Sequence, residues 1–336
     1  MPHPRRSVTL HDVAADAGVS VATASRVLGG SSRSVAPEYR DRVLAAAARL
    51  RYTADVSARA MRTSSDALAL VADDITTPSI AIVVAAMERQ ARAKGAFVTV
   101  SATRGVPARQ LETIRQLRAL RPRALVLTSG RIDADALSGR LLAELQAYQG
   151  DGGRVVVVGD TDLPFHSIRF DNYRAATEIG RHVALTGHRR VVILAGERAQ
   201  AAMSARTEGF LAGLRDGDVA DVRVVHCEVS RQGGFTAARR LASDFDAVMA
   251  ANDLIAVGAL SALRAAGVEV PSDVSLTGFD DIGLAVNVTP RLTTVALPLA
   301  YAGAEAIRLA LKESGPITHV TVEGRLIIRD STARAR

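Results

Sequence analysis

The sequence predicts a small all-α domain followed by an α/β core of two lobes, each built on a parallel, doubly wound sheet. Residues 9–50 contain three short helical patterns separated by glycine or polar residues, whereas valine-rich strand patterns alternate with helical ones from residue 66 onwards. Such alternation is typical of parallel sheets covered on both faces by helices. The strand patterns are too many for one sheet, so we expect two lobes with a cleft at the carboxyl ends of their strands.

Length and composition favour a folded protein of more than one domain. The chain has 336 residues, of which 48% are hydrophobic and 23% charged, and a disordered chain would be far less apolar. The single cysteine, Cys227, excludes a disulfide framework and a cysteine-rich metal site. No apolar run has the length of a membrane helix, and the basic N-terminal residues are followed by HDVAADAG, which lacks the apolar stretch of an export signal. We expect a cytoplasmic protein.

The positive charge is concentrated near the N terminus. The net charge is +7, and residues 1–64 hold ten arginines and five acidic residues, a net +5. A basic excess of this kind indicates a polyanionic partner, with a solvated charged surface as the alternative. Aromatic residues make up only 4% of the chain, which argues against binding by base stacking.

The stretch TLHDVAADAGVSVATASRVL (9–28) predicts two short helices. Thr9 and Asp12 have the spacing of a capping box at the start of the first helix, and Gly18 suits the left-handed residue that ends it. Ser20 is a suitable N-cap for the second helix, which runs to the end of the stretch.

The second helix has an apolar face and a small, polar, basic face. Ala24, Val27 and Leu28 form the apolar stripe, and a third helix from Pro37 to about Leu50 closes a small core against it. A short helix with a flat outer face fits the major groove, which is about 12 Å wide. This pattern predicts a helix-turn-helix in which residues 21–28 form the recognition helix. The alternative is a helical cap on a larger domain.

This N-terminal segment resembles the DNA-binding domain of the lactose/galactose repressor (LacI/GalR) family. The family pattern T-x-x-D-V-A-x-x-A-G-V-S-x-x-T-V-S-R-V-L matches at all but one specified position, where Ala24 replaces Val, and Gly29 stands where the family usually has Asn. The resemblance implies a regulator that binds an operator, with Arg26 as the candidate for contact with guanine. The implied DNA contacts here are Thr9, Ser20, Val21, Ala22, Thr23, Ser25, Arg26, Arg33 and Tyr52.

Residues 53–65 resemble the hinge of the same family, N-x-x-A-R-x-L-R. Ala58, Arg59 and Met61 occupy its Ala, Arg and Leu positions, while Asp55 replaces Asn and adds a negative charge near phosphates. The resemblance implies a helix that orders when two chains lie side by side on DNA. Met61 would wedge into the minor groove, or alternatively pack against the partner hinge.

The resemblance continues through the core, for example in HVALTGHRRVVILAG, AANDLIAVGAL and PSDVSLTGFDD. It implies a periplasmic-binding-protein-like core that binds an effector and dimerises. The predicted domains are a helix-turn-helix domain (1–52), a hinge (53–65) and the core (66–336), with lobe 1 at about 66–170 and 297–317 and lobe 2 at about 171–296 and 318–336.

Polar residues placed directly after strands are predicted to line the cleft. Arg206, Asn252 and Asp280 line the effector site by resemblance, since Arg offers fork-like donors and Asp and Asn accept hydroxyl protons. This set suits a sugar or related polyhydroxylated metabolite, although a nucleoside or a small acid would also fit. The full candidate set is Asp74, Ser79, Asp160, Arg206, Asn252, Asp253, Phe279 and Asp280.

Two of these candidates carry an alternative or a special role. Asp253 could instead cap the helix that follows it. The first cleft loop reads Thr77-Pro78-Ser79-Ile80, without the aromatic that the family often has there. Either the effector is unusual or its ring stacks elsewhere, for example on Phe279.

No catalytic or cofactor motif is present in the sequence. The G-x-S-x-G elbow, the P-loop, H-E-x-x-H and Cys-x-x-Cys are all absent, so we expect no enzyme, cofactor or metal. A periplasmic sugar-binding protein is the main alternative, since it shares the two-lobed cleft. The expected function is a repressor that binds a pseudo-palindromic operator as a homodimer and responds to a small-molecule effector. A leucine heptad tail that would build a tetramer is not evident.

Overall fold

The computed structural model describes most of the chain, and it divides into two compact units, residues 1–65 and 66–336. The predicted hinge lies largely outside the described residues. The described ranges are 8–28, 35–52, 65–104, 106–128, 136–161, 163–198, 200–241, 244–313 and 315–335.

The first unit contains the three predicted helices, α1 (Leu10–Ala17), α2 (Val21–Leu28) and α3 (Pro37–Arg49). The capping box of α1 is confirmed, because the Thr9 hydroxyl accepts from the Asp12 backbone N–H and the Asp12 carboxylate accepts from the Thr9 N–H at 2.7 Å. Gly18 ends α1 with φ 61° and ψ 41°, the left-handed conformation that glycine adopts at low cost.

A small apolar core holds the first unit together. The Ser20 hydroxyl caps α2 by accepting from the Thr23 N–H at 3.1 Å, which directs Ala24 inward, where it is fully buried. Val21 and Tyr52, both predicted to contact DNA, are half-buried and pack against this core. The buried core residues are Val13, Ala14, Ala17, Ala24, Val43 and Ala46.

The second unit alternates strands and helices as predicted. Its described helices are α4 (Pro78–Ala93), α5 (Pro107–Ala119), α6 (Ala136–Gly150), α7 (Asn172–Leu185), α8 (Ala201–Asp216), α9 (Arg231–Ala238), α10 (Asp253–Ala265), α11 (Leu284–Asn287) and α12 (Leu299–Leu311). Its described strands are β1 (Ser65–Ala72), β2 (Phe97–Ala102), β3 (Pro122–Thr128), β4 (Arg154–Val158), β5 (His166–Phe170), β6 (Arg190–Ala195), β7 (Asp221–His226), β8 (Ala247–Ala250), β9 (Ser275–Thr277), β10 (Thr294–Ala296), β11 (His319–Val322) and β12 (Arg325–Ile327).

Two sheets form the two lobes of this unit. The first sheet has the order β11-β5-β4-β3-β1-β2 and the second has the order β7-β6-β8-β9. The pairs β1–β2, β3–β4, β4–β5 and β5–β11 in the first sheet, and β6–β7, β6–β8 and β8–β9 in the second, are parallel. The fold class predicted from the alternation of strands and helices is confirmed.

Both faces of the first sheet are buried. Successive residues of β1 alternate between two cores, with Leu68 and Leu70 on one face and Ala69 and Val71 on the other, as the period of a strand requires. Helices cover both faces, which explains why strands such as β4 are almost continuously apolar. No helix among the described residues is long and apolar enough to cross a membrane.

The predicted boundary of lobe 2 at residue 318 is wrong for the strand β11. Val320 of β11 pairs with Ile168 of β5 at the edge of the first sheet. Only afterwards does the chain return to lobe 2, where the Ser331 carbonyl accepts from the Leu276 N–H at 2.8 Å. The reason is that the edge of β5 has backbone N–H and C=O groups that need hydrogen-bond partners. The short stretch HVTV, which contains β-branched residues, provides those partners.

The chain therefore crosses between the lobes three times, after β5, after β10 and between β11 and β12. Hydrogen bonds connect the three crossing segments. The second and third are joined by the antiparallel pairing of β10 with β12, and the first and third by the Asp171 N–H, which donates to the Val322 carbonyl at 2.9 Å. Gly324, at the third crossing, leaves no room for a side chain. A Cβ there would lie 2.7 Å from Val295 Cγ1.

Candidate functional site

A cavity of about 630 Å³ lies in the second unit, at the carboxyl ends of strands from both sheets. Its volume is typical of a small-molecule site. Six of the eight predicted cleft residues line it, namely Asp74, Ser79, Asp160, Arg206, Asn252 and Asp280.

Arg206 is the polar centre of this cavity. Its Nε donates to Asn172 Oδ1 at 2.9 Å, its Nη1 donates to the Ala251 carbonyl at 2.8 Å, and its Nη2 lies 2.8 Å from Asp280 Oδ1 in a buried ion pair. Its guanidinium stacks on the Phe279 ring, with 4.2 Å between Cζ and the ring centroid. These contacts hold the guanidinium in one plane and leave N–H groups on Nη1 and Nη2 for a ligand.

Asp280 connects the two lobes at this point. Its backbone has φ 106°, a conformation that non-glycine residues seldom adopt, and is held by donation from its N–H to the Val295 carbonyl at 2.9 Å. Burial raises the pKa of the Asp280 carboxyl, while Arg206 and the hydroxyl of Ser79 lower it. Because Ser79 belongs to α4 of the first lobe, groups from both lobes meet at this carboxylate.

Two further carboxylates line the cavity from the first lobe. Burial raises the pKa of Asp160, and the charge of Arg169 and a hydrogen bond from Asn172 oppose the rise. The Asp74 carboxylate accepts from the backbone N–H of Thr76 at 2.9 Å and from its hydroxyl at 2.7 Å, so it shapes the loop before α4. The cavity thus offers acceptors from lobe 1 opposite the Arg206 donors from lobe 2.

The predicted role of Phe279 in stacking on a ligand is wrong. Its side chain is fully buried beneath Arg206 and lies edge-on to Phe210, with 6.1 Å between the ring centroids. It is absent from the cavity wall because its position at the end of β9 turns the ring into the core of lobe 2.

Asp253 likewise does not line the cavity. It is fully buried, with Oδ1 accepting from the Thr294 hydroxyl at 2.6 Å and Oδ2 accepting from the Ile282 N–H at 2.9 Å. Burial and the nearby charge of Asp280 raise its pKa to about 7. The alternative role of helix cap is also wrong for Asp253.

The residue that caps α10 is Asn252. Its Oδ1 accepts from the Ile255 N–H at 2.9 Å, and the residue is 2% exposed at the edge of the cavity. A side chain used in this way presents its amide nitrogen, rather than its oxygen, to a ligand.

The cavity residues that escaped the sequence analysis include Phe170 and Asn172. They end and follow β5, whose sequence HSIRF is short and carries Arg169 within it, so it did not read as a buried strand. Among the described lining residues Phe170 is the one aromatic, and it can supply the apolar platform that was predicted for Phe279. The signal that could have found Asn172 is the rule applied elsewhere, a polar residue just after a strand.

The DNA-reading face predicted for α2 is brought together on one helix. Ala22 and Arg26 are exposed, and Ser25 is partly exposed. The Thr9 hydroxyl takes part in the cap of α1, where it also donates to the Asp12 carboxylate. The Ser20 hydroxyl caps α2, and the Thr23 hydroxyl lies 2.9 Å from it. The candidates Arg33, Ala58, Arg59 and Met61 lie outside the described residues.

Comparison with known proteins identifies two matching family models. Residues 9–55 match the model of bacterial regulatory proteins of the lacI family. Residues 181–332 match the model of periplasmic binding protein-like domains. The "HTH-type transcriptional regulator reg1" of Streptomyces lividans is 33% identical over 345 residues, covering 97% of this chain and 97% of that protein.

Solved structures resemble the chain over nearly its whole length. The lac repressor dimer bound to operator and the anti-inducer ONPF has a TM-score of 0.84 at 24% identity and covers 98% of this chain and 100% of its own. The transcriptional regulator CelR in complex with cellobiose has a TM-score of 0.69 at 27% identity, covering 96% of this chain and 99% of its own. These similarities confirm the expected combination of a helix-turn-helix with a periplasmic-binding-protein-like core.

Proposed function

We propose, since this chain belongs to the lacI family of bacterial regulatory proteins, that it represses transcription by binding a pseudo-palindromic operator as a homodimer. As a member of that family it is a transcriptional regulator and not an enzyme. The observation that carries the proposal is that one chain holds both a recognition helix with an exposed Arg26 and a polar cavity. The protein would act in the cytoplasm, on the nucleoid when it is bound to DNA.

The proposed effector is a sugar or a related polyhydroxylated metabolite. Hydroxyl groups both donate and accept, so they can pair with the carboxylates of Asp160 and Asp280 and with the free N–H groups of Arg206. The similar regulator CelR binds cellobiose in its solved complex, which supports this class of ligand. Phe170 would contact the apolar face of the ring.

The proposed operator contacts follow the recognition helix. Arg26 would bind guanine in the major groove, with Ala22 and Ser25 against neighbouring base edges. Arg33 and the hinge residues Ala58, Arg59 and Met61 would add phosphate and minor-groove contacts. Pairing of two chains is supported by the similar lac repressor, which is solved as a dimer on its operator.

Effector and operator would be linked through a coupling free energy of about 1–3 kcal/mol. Selection from random duplexes with the purified full chain tests the DNA step, and we expect enrichment of a two-fold symmetric sequence. Mobility shifts on that sequence, with D-galactose, D-ribose and cellobiose as probes, test the effector step. A chain that bound these sugars but preferred no duplex would instead be a sugar-binding protein, and the proposal would fail.

A further inference from the structure

The loop that follows β9 carries two of the groups that support Arg206. The ring of Phe279 lies beneath the guanidinium, 4.2 Å from Cζ to the centroid, and the next residue, Asp280, forms the buried ion pair with Nη2 at 2.8 Å. This loop, residues 279–282, is strained, because Asp280 and Asp281 are consecutive non-glycine residues with positive φ, at 106° and 56°. Such a conformation persists only where surrounding groups hold it.

Asp253 is hydrogen-bonded to both ends of the 279–282 loop. Its backbone N–H donates to the Phe279 carbonyl at 2.8 Å, and its Oδ2 accepts from the Ile282 N–H at 2.9 Å. The two strained residues lie between these bonds, and one of them holds Arg206. A single residue therefore spans the loop from its first member to its last.

The other carboxylate oxygen of Asp253 contacts β10, the strand that precedes the second crossing between the lobes. Its Oδ1 accepts from the hydroxyl of Thr294, the first residue of β10, at 2.6 Å. The following residue, Val295, accepts from the Asp280 N–H at 2.9 Å. The carboxylate fits closely against the end of β9, since a Cβ on Gly278 would lie 2.2 Å from Oδ1. These contacts fix the position of the loop relative to β10.

Neither helix capping nor ligand contact explains a carboxyl group at this place. Asn252 caps α10, and Asp253 does not line the cavity. The side chain of Asp253 is fully buried, which costs free energy unless hydrogen bonds compensate for the lost water. Its bonds to the 279–282 loop and to β10 are those that compensate for its burial.

We propose that Asp253 is a positioning residue of the effector site, which acts through the 279–282 loop to set the Phe279 ring and the Asp280 carboxylate against Arg206. Groups that bind a ligand must be held to within about 0.5 Å by the residues behind them. The inference rests on the proposed function, because the position of Arg206 matters to regulation only if a ligand occupies the cavity.

Asparagine and alanine at position 253 separate the role of the hydrogen bonds from that of the buried volume. Asp253→Asn keeps an oxygen that can accept from the Ile282 N–H, and it places an NH₂ group beside the Thr294 hydroxyl, which can accept as well as donate. Asp253→Ala removes both side-chain contacts and leaves the Ile282 N–H buried without this acceptor.

The experiment combines hydrogen exchange with NMR on the full chain, without ligand or DNA. It is done at about pH 5.5, below the pKa of about 7, so that Asn matches the uncharged carboxyl of Asp253. Mass spectrometry follows exchange in peptides that contain residues 278–283, and the side-chain ¹⁵N–¹H resonances of Arg206 report on its ion pair. In Asp253→Ala we expect loop exchange to be about tenfold faster and the Arg206 resonances to move. Asp253→Asn should exchange within about twofold of wild type and keep the wild-type resonances.

Two further variants serve as controls. Ser261→Ala, on the same helix, removes a hydroxyl that donates to the Val257 carbonyl at 2.9 Å and should change neither measurement. Thr294→Val removes the contact of Oδ1 with β10 but keeps the bond from Ile282, so loop exchange should rise by less than in Asp253→Ala.

Two results would overturn the assignment. One is an Asp253→Ala variant that unfolds more easily but keeps the Arg206 resonances of wild type, which would mean that Asp253 only stabilises the fold. The other is an Asp253→Asn variant whose loop exchanges as fast as that of Asp253→Ala. If Asp253→Ala does not reproduce the wild-type circular dichroism spectrum, Asp253→Ser takes its place with the same expectations, since one hydroxyl cannot form both contacts. Because neither sugar nor operator is present, failure here is separate from failure of the proposed function.

Discussion

The guanidinium of Arg206 rests on the ring of Phe279, 4.2 Å from Cζ to the centroid, and that ring is itself fully buried. The cation that faces the cavity is therefore supported by an aromatic face that a ligand does not reach. A desolvated contact of this kind is worth about 2 kcal/mol. It complements the ion pair with Asp280, which alone would not offset the cost of burying two charges.

Replacing Arg206 with Met should destabilise the second unit strongly. The variant leaves the Asp280 carboxylate buried without its cation, for which we expect a loss of about 3–5 kcal/mol in the free energy of unfolding. Without Arg206 the pKa of Asp280 rises further, so the loss should grow as the pH is raised and the carboxyl is forced to ionise. Urea unfolding followed by circular dichroism at several pH values measures this.

The control for that variant is Arg181→Met, which breaks an exposed pair with Asp216. We expect it to cost less than about 1 kcal/mol at any pH. Equal losses for the two variants, or a loss in Arg206→Met that did not depend on pH, would contradict the role given to the buried pair.

Arg26→Ala should reduce sequence preference more than it reduces binding to random DNA. Bidentate contact with guanine contributes about 1–3 kcal/mol of discrimination, whereas phosphate contacts contribute to every sequence alike. Mobility shifts on the selected duplex and on a scrambled duplex at fixed salt give the ratio. Arg40→Ala, an exposed arginine on α3, is the control with the same change of charge. A proportional loss on both duplexes with Arg26→Ala would exclude base reading by this residue.

Thr9→Ala should loosen α1 without altering the core. It removes the hydroxyl that accepts from the Asp12 N–H, and loss of an N-cap of this type costs about 1 kcal/mol. Hydrogen exchange measured by mass spectrometry should be faster in the α1 peptide, with little change in the peptides of the second unit. Thr9→Ser keeps the cap and should exchange like wild type. Unchanged exchange in Thr9→Ala would show that the cap is dispensable.

Asp253 should make the protein less stable as the pH rises towards neutrality. Its pKa in the folded chain is about 7, above the ordinary 3.8, so the folded state binds the proton more tightly than the unfolded state does. The stabilisation from this proton is complete below pH 3.8 and is lost between there and about pH 7. Asp253→Asn cannot titrate, so its free energy of unfolding should improve relative to wild type across that window.

A surface carboxylate provides the matched control for Asp253. The Arg223 guanidinium lowers the pKa of Asp244, which is the opposite direction, so Asp244→Asn should lose stability relative to wild type as the pH rises through acidic values. If the difference between Asp253→Asn and wild type stayed constant with pH, the buried carboxyl would not be taking up a proton.

The sequence was informative about the cavity wherever an apolar strand ended in a polar residue. Asp160 after β4 and Asn252 after β8 were found in this way, since both strands are buried and valine- or alanine-rich. Asn172 was missed because β5 contains an arginine. Phe279 was misread because sequence alone does not reveal on which side of a strand end a ring will lie.

The predicted lobe boundary at residue 318 was wrong for a different reason. Strand β11 is four residues long and half polar, and it finds its partner β5 far away in the sequence. Pairing over such separations depends on which sheet edge is left open, and this becomes apparent only in the assembled fold.

The position of β11 at the edge of the first sheet also determines when that sheet can be completed during synthesis of the chain. The ribosome releases β5 well before it releases residues 319–322, so the backbone groups at that edge remain unpaired while residues 171–318 are synthesised. A chain truncated after α12 would lack β11, so the edge of β5 would stay unpaired and could form hydrogen bonds with other chains, which promotes aggregation. For this polypeptide, the first sheet is completed only after residues 171–318, which include every strand of the second sheet, have been synthesised.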